Sequence, residues 1–94
     1  MDAVDMALVL GLDGSASVDF DEFDLMTRAI GAAFQAPDVI AGLLGGERRA
    51  SFACSLLWSG TGAQEVLVDW TPLTSAEDAH SFGRLVADAP RLVR

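Results

Sequence analysis

Three oxygen donors stand at alternate positions near the start of the chain: Asp13, Ser15 and Ser17, separated by Gly14 and Ala16. A carboxylate and two hydroxyls are hard ligands. They suit Mg²⁺, which takes oxygen donors and keeps several of its waters, and for the same reason Mn²⁺ or Ca²⁺. The small residues between them leave the loop narrow enough for close approach. As a bare pattern, Asp-x-Ser-x-Ser is common, and the same side chains can serve only turn and cap hydrogen bonds. What precedes and follows the pattern decides how much it says.

Ahead of it, residues Ala3 to Leu12 end in a nearly unbroken apolar run. Such a run without alternation predicts a strand buried on both faces, as in a parallel sheet covered by helices. Behind it, Asp19 with Glu22 three residues on predicts a capped helix start. Phe20, Phe23, Met26, Ile30, Ala33 and Phe34 then recur at helical spacing and give that helix an apolar face. The three donors therefore fall at the carboxyl end of a strand, where open α/β sheets bind ligands.

The helix should stop at Gln35-Ala36, because the residue before Pro37 avoids the helical region. Pro37 to Leu44 reads as a short second helix ended by Gly45-Gly46. Ser51 to Ser59 carries Phe52, Cys54, Leu56 and Trp58 on one face. Gln64 to Trp70 carries Val66, Val68 and Trp70 on one face, with Glu65 and Asp69 on the other. Ser59 to Ala63 between them is turn-rich, so the pair reads as an antiparallel hairpin. Thr74 with Glu77 predicts another capped start, followed by Ala76, Ala79, Phe82, Val86 and Ala89 on one helical face, ending near Pro90.

The resulting order is strand, helix, strand, strand, helix, with the short extra helix after the first. A three-stranded sheet of this kind would leave an edge of its apolar first strand unpaired. The reading is a partial α/β domain over residues 1–94, completed by more chain or by association with a partner or a second copy.

Composition bounds the function. The chain has 94 residues, 51% of them hydrophobic, which argues against disorder. The net charge is −8, with six Arg and no Lys. An acidic surface repels phosphate backbones and anionic membranes and favours cations, so neither nucleic acid nor membrane is expected as a partner. The longest apolar stretch, Met6 to Leu12, is short of the roughly 20 residues a membrane span needs, and no signal peptide is recognised. A single cysteine, Cys54, excludes an internal disulfide and a cysteine-rich zinc site.

The residues from Leu8 to Asp19 resemble the first strand and metal-ion-dependent adhesion site of von Willebrand factor type A domains. The whole chain is similar, more narrowly, to a bacterial branch of that superfamily, domain-of-unknown-function family 1194. The likeness rests on Glu22 soon after the serines, Trp58-Ser59-Gly60, Trp70-Thr71 and Pro90-Arg91. It implies a von Willebrand factor A-like, Rossmann-like three-layer α/β sandwich, of which this chain holds the first part. It also implies an antiparallel third strand and an exported, periplasmic or extracellular protein. By the same resemblance, Asp13, Ser15 and Ser17 hold a divalent cation whose coordination is completed by an acidic residue of a protein partner. The family's later threonine and aspartate ligands would lie beyond Arg94, and Thr71 and Thr74 do not replace them.

Other chemistry is poorly provided for. A triad of Ser15, His80 and an aspartate is formally available, but no Gly-x-Ser-x-Gly elbow surrounds Ser15. His80, the one histidine, falls in the last helix with no second ligand nearby and reads as a surface residue. Cys54 sits among apolar strand residues and reads as a buried inert thiol. Trp58 and Trp70 are expected to pack against the helices. Asp19, Asp21, Glu22 and Asp24 crowd a helix start, where negative charge interacts well with the dipole. The expectation is a non-enzymatic, cation-dependent protein-binding module. The alternative is a structural half-domain, completed by self-association, without functional metal binding.

Overall fold

A computed structural model describes residues 3–14, 19–58 and 64–89. Three strands and three helices are present among them: β1 (Met6–Asp13), α1 (Phe20–Ala33), α2 (Pro37–Leu44), β2 (Ser51–Trp58), β3 (Gln64–Leu73) and α3 (Ala76–Ala87). The sheet has the order β1-β2-β3. β1 runs parallel to β2 from Met6↔Ser51 to Asp13↔Trp58, and β2 runs antiparallel to β3. The α/β class and the antiparallel pair match the sequence reading. The expected turn at Ser59 to Ala63 lies outside the described residues.

One apolar cluster holds the elements together. Leu12, Ala53, Leu57, Val68 and Leu73 from one face of the sheet meet Phe23 and Phe34 of α1, Leu43 of α2, and Ala79, Phe82 and Val86 of α3. Burial of these groups, at about 25 cal/mol per Å² of apolar surface, supplies most of the driving force. The helix side of β2 consists of Ser51, Ala53, Ser55 and Leu57, all fully buried. The small side chains of Ser51, Ala53 and Ser55 let the helices approach.

α1 and α3 meet through glycines. A β carbon on Gly31 would fall 2.8 Å from the Gly83 carbonyl oxygen, and one on Gly83 would fall 2.7 Å from Phe34 Cβ. Only hydrogen at both positions permits this approach. Phe34 and Phe82 pack beside it with ring centroids 5.0 Å apart.

Several expectations need correction. β1 is an edge strand among the described residues, as the sequence reading had it, but only one of its faces is covered, not both. Leu12 is buried, while Val9 on the other face is 51% exposed. The described residues make two layers, because no described element lies on the second face of the sheet. That open face carries Trp58, Val66 and Trp70, so the tryptophans do not pack on the helices. Trp70 instead meets Phe52 edge-on, with centroids 6.1 Å apart.

Val66 and Val68 do not share a face. Register shifts between Ala53 and Leu56 insert extra β3 residues, so Val68 lies opposite Ser55 and is buried, while Val66 lies opposite Leu56 and is exposed. A bulge of this kind switches the side on which the following residues emerge. α3 is capped one residue later than its spacing suggested. The Ser75 hydroxyl accepts from Asp78 N, and Thr74 donates through both N and Oγ1 to Asp78 Oδ2, at 2.9 and 2.8 Å.

The turn into β2 is fixed from β1's side. Asp5 accepts from the backbone amides of Arg48 (3.0 Å) and Ala50 (3.4 Å), and Asp5 N donates to the Ala50 carbonyl. Within this turn Arg49 takes a left-handed conformation, φ 52°.

Candidate metal-binding loop

The candidate site begins where β1 ends. Asp13 is the last residue of the strand and is paired with Trp58 of β2. Gly14 extends the ladder by one bond, its N–H donating to the Trp58 carbonyl at 2.7 Å. Asp13 is half-buried and Gly14 is buried, and both are engaged in interactions. A β carbon on Gly14 would fall 2.8 Å from Leu57 Cγ and closer still to Cδ1. Leu57 is fully buried, so its displacement would disturb the core. Gly14 is thus tightly seated on β2. Ser15 and Ser17, the other two proposed ligands, lie outside the described residues.

The chain re-enters at Asp19, the N-cap of α1. Asp19 Oδ1 accepts from Glu22 N at 2.8 Å, and Glu22 Oε1 accepts from Asp19 N at 3.2 Å. This reciprocal pair satisfies two amides that the helix start would otherwise leave free. It also turns both carboxylates toward the backbone. Asp24, one turn on, pairs with Arg28. Asp19, Glu22 and Asp24 are therefore engaged at the cap of α1 and within it.

One carboxylate at this end of the sheet was not singled out from the sequence. Glu65, second residue of β3, lies opposite Leu57, and its Oε2 is buried without a hydrogen-bond partner among the described residues. Simple alternation set Glu65 apart from Val66 and Val68 together. The register shift puts it level with Leu57 on the helix side.

A hard cation fits the arrangement in part. Asp13 stands at the carboxyl end of a strand, where a charge can be reached from solvent, and Gly14 permits close approach. Asp19 and Glu22 are occupied by their cap. No group of three or more His, Cys, Asp and Glu placed to hold a metal occurs among the described residues. The donor set expected from the sequence is one carboxylate with two hydroxyls, and such a set would bind weakly unless waters and a further carboxylate completed the shell.

His80 is half-buried on α3, and its backbone carbonyl accepts from Gln35 Nε2 at 3.1 Å. Cys54 is buried on β2. Burial pushes its thiol pKa up, and Asp69 adds to the rise.

A family model described as "Protein of unknown function (DUF1194)" matches residues 3–94. The chain belongs to this family. No curated protein and no solved structure matches it. The DUF1194 match spans β1, the Asp13 loop, all three helices and the β2–β3 pair. In this DUF1194 chain, Leu8 to Asp13, Glu22, Trp58 and Trp70-Thr71 lie on β1, α1, β2 and β3, while Ser59-Gly60 and Pro90-Arg91 lie outside the described residues.

Proposed function

We propose that this chain is the first part of a von Willebrand factor A-like domain and acts as a non-enzymatic, divalent-cation-dependent protein-binding module. Asp13 holds Mg²⁺, partly through water, and Ser15 and Ser17 add hydroxyl oxygens. A carboxylate of a protein partner supplies a further ligand, so cation and partner bind together. The family resemblance also points to an exported protein.

The observation that carries this reading is the position of Asp13 and Gly14. They lie at the carboxyl end of an apolar parallel strand, fixed to the Trp58 carbonyl, and lead into a helix with a complete capping box. The DUF1194 membership is compatible with it. The test is thermal unfolding with and without millimolar Mg²⁺ or Mn²⁺, in the wild type and in Asp13→Ala.

A second reading has one observation in its favour. Asp19 and Glu22 spend their charge on the α1 cap, which leaves Asp13 as the charged member of the donor set. On that reading the loop only connects β1 to α1, and the chain is a structural half-domain. A cation-dependent rise in melting temperature that is lost in Asp13→Ala separates the two.

A further inference from the structure

We draw no further inference here: the strongest candidate, the groove between α1 and α3 lined by Gly31, Ala32, Gln35, Gly83, Arg84 and Ala87, is a stripe of small residues beside one exposed arginine, and nothing in the structure shows what covers it.

Discussion

Gly14 lies directly over Leu57, close enough that no side chain fits between them. A β carbon at position 14 falls 2.8 Å from Leu57 Cγ, and Leu57 is held by the buried core. The relationship links the candidate loop to the packing of the sheet. Gly14→Ala is expected to force Leu57 aside or lift the loop, at a cost of about 1–3 kcal/mol, the usual range for overpacking. Urea denaturation measures it. An unchanged midpoint would show that the loop is not seated on Leu57.

Two buried serines on β2 should respond oppositely to removal of the hydroxyl. Ser51 Oγ donates to the Leu43 carbonyl at 2.7 Å and joins α2 to the sheet. Ser55 Oγ is equally buried and has no partner among the described residues. Ser51→Ala should cost about 1–3 kcal/mol, because it leaves the Leu43 carbonyl without that donor, while Ser55→Ala should be neutral or stabilising. Chemical denaturation of both variants checks the contrast, and equal losses would contradict it.

Asp78 gives stability a pH dependence. Hydrogen bonds from the backbone and side chain of Thr74, and a smaller one with Ser75, hold its carboxyl below the ordinary 3.8 despite some burial. The folded state thus binds this proton less readily than the unfolded state. Its contribution is fully present well above pH 3.8 and is lost as pH falls through the lower folded value. Asp78→Asn should flatten the acid limb of the stability curve, as followed by thermal melts below about pH 5. An unaltered acid limb would count against this assignment.

Much of the fold is legible in the residues because local rules and tertiary packing agree. The Asp19–Glu22 box, the Pro37–Leu44 helix and the β2–β3 pair all stand where spacing and turn residues put them. The faces of β2 were harder. Phe52, Leu56 and Trp58 are three of its four bulky residues, yet the helices cover Ser51, Ala53 and Ser55 beside Leu57. Close helix approach rewards small side chains, and hydrophobic pattern alone favours the large ones. Thr27 and Gly31, both buried on α1, escaped notice for the same reason. The switch between Val66 and Val68 required a bulge that no residue type announced. Of the candidate site, Asp13 and Gly14 stand at the strand end as read, and Glu65 was hidden by the same bulge.

Cys54 should be unreactive while the protein is folded. It is 4% exposed, and burial, aided by Asp69, raises its thiol pKa. Thiolate is the reactive form, so attack by a disulfide reagent near pH 8 should wait for unfolding. Rapid labelling of the native protein would contradict the packing described for β2.

The cation proposal turns on Asp13. Differential scanning calorimetry of the wild type and Asp13→Ala, with and without millimolar Mg²⁺, measures it directly, because a ligand that binds only the folded state raises its melting temperature. The account predicts a rise in Tm for the wild type and none for Asp13→Ala. Equal melting temperatures with and without metal in a folded wild-type protein would contradict it.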